Sequence, residues 1–190
     1  GGLDLARLRE QAAELRTTES PIRLFHGTEA DILADGTIDV PADFVPELDL
    51  VIASVHQRFK LDEDGNTKRL VAAMRQPFFE IWGHALGRLV LKRDPIKVRI
   101  DEVFDAIGES RAAIEINGDP HRLDLDPVNA RAAAERGIKF MLSTDAHSTG
   151  NLEYARWAVG IARRARIGKI SVLNTFPPEE LAALIRPLPP

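Results

Sequence analysis

The sequence predicts an α/β fold, a parallel sheet with helices outside it, tending toward a barrel, and three observations carry that prediction. Segments of strand and helix character alternate through almost all of the 190 residues, the pattern of a parallel sheet covered by helices. Chemically capable residues follow nearly every expected strand: Glu29, His56, His84, Asn117, Asp145 with His147, and Asn174. Barrels of this kind build their working site from the C-terminal strand ends, whereas an open doubly wound sheet focuses chemistry at one switch point. Candidates spread over so many strands fit a ring better. Third, about six strands can be counted, whereas a full eight-unit barrel takes about 250 residues. The expected barrel is therefore open and smaller, or lacks its first units.

In chain order, Leu3, Leu5, Leu8, Ala12 and Leu15 stand at near-helical spacing and predict an amphipathic helix over 3–15. Residues 22–25 read as a first strand, running into His26-Gly27-Thr28-Glu29, and Asp35-Gly36 marks a turn. A second strand over 48–55 ends at His56. A polar loop through Asp64-Gly65-Asn66 follows, then a helix over 67–75 before Pro77. A third strand over 78–82 ends at Gly83-His84, and residues 86–95 form a basic loop. A helix over 100–108 and a fourth strand over 112–116 come next, with Asn117-Gly118-Asp119-Pro120 as the exit. Asp126 is an N-cap, Pro127 takes the first helical position, and Gly137 stands where a left-handed C-terminal residue is wanted. The apolar run Phe140-Met141-Leu142 is a fifth strand. A long helix over 152–166 carries a basic tail suited to a helix C-terminus. Residues 170–173 read as a sixth strand, and Pro178 opens a last helix through Leu184.

Composition narrows the function classes. Hydrophobic residues make up 44% and charged residues 28%, ordinary for one globular domain. No apolar run reaches the roughly 18 residues of a membrane span, and no signal-peptide pattern opens the chain. There is no cysteine, so a metal must be held by His, Asp and Glu. That is compatible with the cytoplasm, where the chain is expected. A net charge of −4 disfavours a free-standing nucleic-acid binder, so a DNA contact needs a local patch or another domain.

Asp145 and His147 leave one strand end two residues apart. On an extended segment such residues point the same way, and both are good ligands for zinc, manganese or iron. An isolated Asp-x-His is more often a turn beside a surface histidine. Joined by Glu29, His56 and His84, each at its own strand end, it reads as part of a multi-metal site. The mixed N/O set suits Zn²⁺, Mn²⁺ or Fe²⁺ better than Ca²⁺. His26 is read as supporting or structural and His121 as solvent-facing. Arg58, Arg69, Arg88 and Arg93 lie on the same strand-end loops, where arginine can grip phosphate, although at least half of them are expected to be ordinary surface charge.

The segments Gly27-Thr28-Glu29-Ala30-Asp31-Ile32-Leu33, Ser54-Val55-His56, Gly83-His84-Ala85-Leu86-Gly87-Arg88, Glu115-Ile116-Asn117, Arg122-Leu123-Asp124-Leu125 and Ser143-Thr144-Asp145-Ala146-His147-Ser148 resemble the PHP (polymerase and histidinol phosphatase) superfamily. The run of motifs is most similar to the C-terminal PHP domain of bacterial and archaeal X-family DNA polymerases, and Val172-Leu173-Asn174-Thr175-Phe176 fits that subgroup. The resemblance implies a distorted, incomplete TIM-like barrel, usually of seven strand–helix units, with two or three divalent ions, Mn²⁺ or Zn²⁺, with Fe²⁺ also admitted. It implies Glu29, His56, His84, Asp145 and His147 as metal ligands, with Glu29 bridging, and with Glu29, Asp145 and His147 at the chemistry. Asn117 would support them, and Arg58, Arg88 and Arg93 would contact phosphate or DNA.

The implied activity is metal-assisted phosphoester hydrolysis, a 3′→5′ exonuclease or 3′-end processing function in DNA repair. The partners would be DNA 3′ ends and upstream polymerase domains, with no membrane. The family's opening His-x-His strand is not in this sequence. Residues 1–190 are therefore expected to be a single PHP domain lacking its first strands, inactive in isolation. A histidinol-phosphatase-like phosphomonoesterase and a non-catalytic structural module are the alternatives.

Overall fold

Strand order follows chain order. In the computed structural model, which describes residues 4–185, five strands form one sheet in the order β1-β2-β3-β4-β5, every neighbouring pair parallel. They are β1 (Gly27–Asp31), β2 (Leu50–Ser54), β3 (Ile81–Trp82), β4 (Ala113–Asn117) and β5 (Lys139–Ser143). The helices are α1 (Leu5–Thr17), α2 (Glu63–Met74), α3 (Ile100–Glu109), α4 (Pro127–Glu135), α5 (Ala155–Arg164) and α6 (Pro178–Ile185). This is the expected α/β alternation. Because all strands are parallel and the order never reverses, their C-terminal ends share one edge of the sheet. Among the described residues no pairing joins β1 to β5.

Register places the strand ends side by side. Asp31 lies beside Ser54, Ala53 beside Trp82, Trp82 beside Ile114, and Asn117 beside Ser143. All of β4 is buried, which is why its sequence is apolar on both faces apart from Glu115 and Asn117. Phe104, Phe140, Trp82, Ile107 and Ile114 fill the core around it. α3 turns Val103, Phe104, Ala106 and Ile107 inward, the 3–4 spacing of a helix face. Burying Phe104 and Ile107 stabilises the fold by roughly 1.5–3 kcal/mol each relative to exposure. α4 begins as its sequence dictates. The Asp126 carboxylate accepts from the amides of Val128 at 2.8 Å and Asn129 at 3.2 Å, Pro127 opens the helix, and Gly137 follows it with φ +78°.

Several boundaries differ from expectation, each for a local reason. The first strand is Gly27–Asp31 rather than 22–25. Ile22 and Leu24 are exposed, and close packing of Gly27 on Leu50, where a Cβ would meet Cδ1 at 2.8 Å, lets the chain pair with β2 there. Glu29 therefore lies within a strand. α2 starts four residues earlier than expected, because Asp62 caps it through the Gly65 amide at 2.8 Å. The third strand contracts to two residues. The expected helix over 152–166 is a 3₁₀ turn (Thr149–Tyr154) followed by α5. The sixth strand is absent among the described residues. Two 3₁₀ turns, Lys169–Ser171 and Leu173–Thr175, take its place, with only a Phe140–Val172 bridge. There the side chain of Asn174 does what a strand would have done: its Oδ1 accepts from the Leu142 amide at 2.7 Å and its Nδ2 donates to the Leu142 carbonyl at 3.0 Å. Leu3 of the expected first helix lies outside the described residues.

Candidate metal centre

Three side chains from three adjacent strands converge at the shared edge. Glu29 stands in β1, His56 two residues past β2 and His84 two residues past β3. Glu29 Oε1 lies 2.8 Å from His84 Nε2 and 3.3 Å from His56 Nε2, and the two imidazole nitrogens are 3.1 Å apart. Ligands about 2.1 Å from a common cation are separated by roughly 3.0–3.4 Å, so this triangle has the dimensions of a cation's ligand face. Its chemistry also fits. Two imidazole nitrogens facing each other at that distance repel unless a proton or a cation lies between them, and Glu29 supplies the negative charge. The three side chains differ in exposure: His84 is buried, while His56 and Glu29 are each more than a third exposed. Such a site has a solid floor and an accessible mouth.

Electrostatics agree with that reading. Burial raises the Glu29 pKa, but hydrogen bonds from His56 and His84 outweigh it, and the carboxyl is held far below the usual carboxylate range. His56 is raised above the usual imidazole value, first by its bond to Glu29, against the opposing effect of burial, and then by Asp31. Asp31 is a residue that sequence reasoning missed. Its Oδ1 lies 2.5 Å from His56 Nδ1, and Gln57 donates to its other oxygen at 3.0 Å. A carboxylate on the far ring nitrogen fixes the orientation of a ligating histidine and leaves its Nε2 free for a cation. The signal was there: Asp31 is two residues from Glu29, hence on the same strand face.

His84 is held differently. Its Nδ1 is buried without a partner, and its backbone sits in the left-handed region at φ +24°. Its N–H donates to Glu115 Oε2. Gly83 before it is packed so closely that a Cβ would lie 2.3 Å from Ser54 Oγ.

Asp145 and His147 do not join this triangle among the described residues. Asp145 Oδ2 accepts from Arg122 Nε at 2.7 Å and from Asn117 Nδ2 at 3.2 Å. His147 is 81% exposed on its side chain and donates from Nδ1 to the Asp145 carbonyl at 2.7 Å. Besides this bond to Asp145, Asn117 Nδ2 also reaches Glu115 Oε2 at 3.3 Å.

The expected phosphate-contacting arginines are mostly spent on the backbone. Arg88 donates from Nε to the Arg122 carbonyl at 2.9 Å and from Nη2 to that of Leu123. Arg93 donates to the Gly87 carbonyl at 2.7 Å and stacks on Phe59. Arg69 is buried and donates to the carbonyls of Leu33, Gln57 and Ile32. Arg58 is exposed, with φ +57°. The Arg88 loop is further tied down by buried Asp124, which accepts from the amides of Leu86 and Arg88 at 3.0 and 3.2 Å. Burial pushes that carboxyl's pKa up. His121 is exposed and paired with Asp119. His26 is buried against Phe44.

Comparison with known proteins finds similarity to a DNA polymerase/exonuclease and to proteins named as probable phosphatases. The chain is 33% identical over 188 residues to the DNA polymerase/3'-5' exonuclease PolX of Bacillus subtilis (strain 168), an alignment covering 97% of this chain and 33% of that protein. It is 30% identical over 164 residues to a "probable phosphatase" of Caldanaerobacter subterraneus subsp. tengcongensis, covering 81% of this chain and 62% of that protein. A "probable phosphatase" of Clostridium acetobutylicum is 33% identical over 137 residues, 66% of this chain and 53% of that protein. The chain thus spans a third of the polymerase and somewhat over half of the phosphatases. No protein-family profile matches it. No described helix is long and apolar enough to cross a membrane.

Proposed function

We propose that this chain is a PHP-type metal-dependent phosphoesterase domain whose cation site is built on Glu29, His56 and His84, with Asp145 and His147 contributing from β5. The observation that carries the reading is the triangle of one carboxylate oxygen and two imidazole nitrogens 2.8–3.3 Å apart. Relatives named as an exonuclease and as phosphatases support it. When bound, divalent cations acidify water and polarise the phosphoryl group. The protein's part is to hold the ligands. Asp31 keeps His56 Nε2 directed at Glu29, Glu115 fixes the His84 backbone, and Arg122 with Asn117 sets the Asp145 carboxylate. The ion is manganese, zinc or iron by the chemistry of the donors.

For the substrate, we take the 3′ end of DNA within a longer polymerase-containing protein, because the polymerase alignment spans nearly the whole chain. Upstream polymerase domains of the same protein would supply the grip that an acidic domain of net charge −4 lacks. The phosphatase relatives favour a second reading, hydrolysis of small phosphomonoesters. Side-by-side assays of the full-length protein with Mn²⁺, on a 3′-recessed duplex and on histidinol phosphate, separate the two. Cleavage of the duplex is expected, and it is lost in Glu29→Gln. Turnover of histidinol phosphate alone selects the second reading, and full metal-dependent activity in Glu29→Gln refutes both.

A further inference from the structure

We infer that Glu115 is a positioning residue for this site, the brace that joins its two halves from behind; the inference rests on the metal-site reading above. Glu115 is the one carboxylate in β4, a strand buried along its whole length, and it is 5% exposed. An ionisable group at such a place needs several partners to persist, and it has three. Oε2 accepts from the backbone N–H of His84 and, at 3.3 Å, from Asn117 Nδ2, while Oε1 accepts from Ser143 Oγ. These donors belong to three strand ends, β3, β4 and β5. Asn117 passes the contact on to Asp145 at 3.2 Å. One carboxylate thus touches the residue that ends in the histidine cluster and, through one amide, the carboxylate of the Asp145 pair.

The arrangement replaces a contact that ligating histidines normally have. Such a histidine usually donates its second ring N–H to a carboxylate or carbonyl, and losing that partner weakens metal binding by about 10–100-fold. His56 has that partner in Asp31. His84 does not: its Nδ1 is buried and unpartnered. Its orientation is set instead through the main chain. Gly83 is wedged against Ser54 and Ile52, the His84 backbone is left-handed, and its N–H is held by Glu115. With the side chain 2% exposed, fixing the backbone fixes where Nε2 points.

Mn²⁺ titrations of the full-length protein by calorimetry, with thermal melts in EDTA, test this. Glu115→Gln keeps the shape but aims an amide at donors, and it is expected to weaken Mn²⁺ binding about tenfold or more. Ser143→Ala removes one donor at the strand end and leaves β4 untouched. It is expected to weaken Mn²⁺ binding measurably while the protein still melts cooperatively, and it decides the question if Glu115→Gln does not fold. Wild-type affinity in Ser143→Ala, or in a folded Glu115→Gln, overturns the inference while leaving the metal reading in place. A wild-type protein that binds no Mn²⁺ overturns the metal reading itself and the inference with it.

Discussion

Replacing Asp31 by Asn tests how His56, an exposed member of the proposed ligand triangle, is kept in place. Asp31 Oδ1 lies 2.5 Å from His56 Nδ1, a charge-assisted contact of the stronger kind. Asn preserves volume and one acceptor but removes the charge, and it can present its amide nitrogen to the ring. Losing a carboxylate behind a ligating histidine costs about 10–100-fold in metal affinity, equivalent to about 1.4–2.7 kcal/mol. The Asp31 side chain is 29% exposed, so solvent already screens part of the interaction, and the loss belongs near the lower end, about tenfold. Competition of the full-length protein against a chelating dye for Zn²⁺ or Mn²⁺ gives the constant directly. Gln57→Ala serves as the control, because it removes the other neighbour of Asp31 and leaves the imidazole contact intact. An Asp31→Asn protein that binds within about twofold of wild type, a difference of about 0.4 kcal/mol, would show that His56 is held by something other than Asp31.

Two further outcomes are expected. In the metal-free protein, Glu29 has a folded pKa below its ordinary 4.5 and His56 has one above its ordinary 6.5. The first contributes stability that is present above 4.5 and lost as pH falls through the depressed value. The second contributes stability that is present below 6.5 and lost as pH rises through the raised value. The cluster therefore stabilises the metal-free fold most between these ordinary values, and melting temperature against pH in chelator should show a plateau there that flattens in a Glu29→Gln, His56→Ala double variant. Gly83→Ala would place a Cβ 2.3 Å from Ser54 Oγ and 2.6 Å from Ile52 Cγ2. Overpacking of this kind costs about 1–3 kcal/mol and should lower the melting temperature; an unchanged value would contradict the close packing of that turn.

The parts legible in the sequence were those with local, one-dimensional signatures. Asp126-Pro127 announced α4 because a cap and a proline act within one turn of the chain. The three residues of the triangle stood out because each follows or sits in an apolar strand, and parallel strands in consecutive order bring such positions to one edge. The β1 boundary was not legible. Ile22-Arg23-Leu24-Phe25 has more strand character than Gly27-Thr28-Glu29-Ala30-Asp31, and only pairing with β2 decides between them. That shift hid Asp31, which looked like a loop residue and is a strand residue facing the same way as Glu29. Glu115 carried a signal of a different kind, a carboxylate inside the apolar run 112–116, but its three donors come from separate segments and need the fold to be seen. Arg88 and Arg93 looked available for phosphate because composition cannot tell a free guanidinium from one committed to carbonyls. The sixth strand failed for a related reason, since a side-chain amide could satisfy Leu142 without any strand there.

That amide has a consequence for how the molecule meets its own kind. The outer margin of β5 exposes a main-chain donor and acceptor at Leu142, the kind of unmet pair through which sheets recruit foreign chains and begin to aggregate. Asn174 occupies both with one planar group of matching spacing. A single residue thereby blunts that margin, and protection against self-association at this point is built into a turn rather than into another strand.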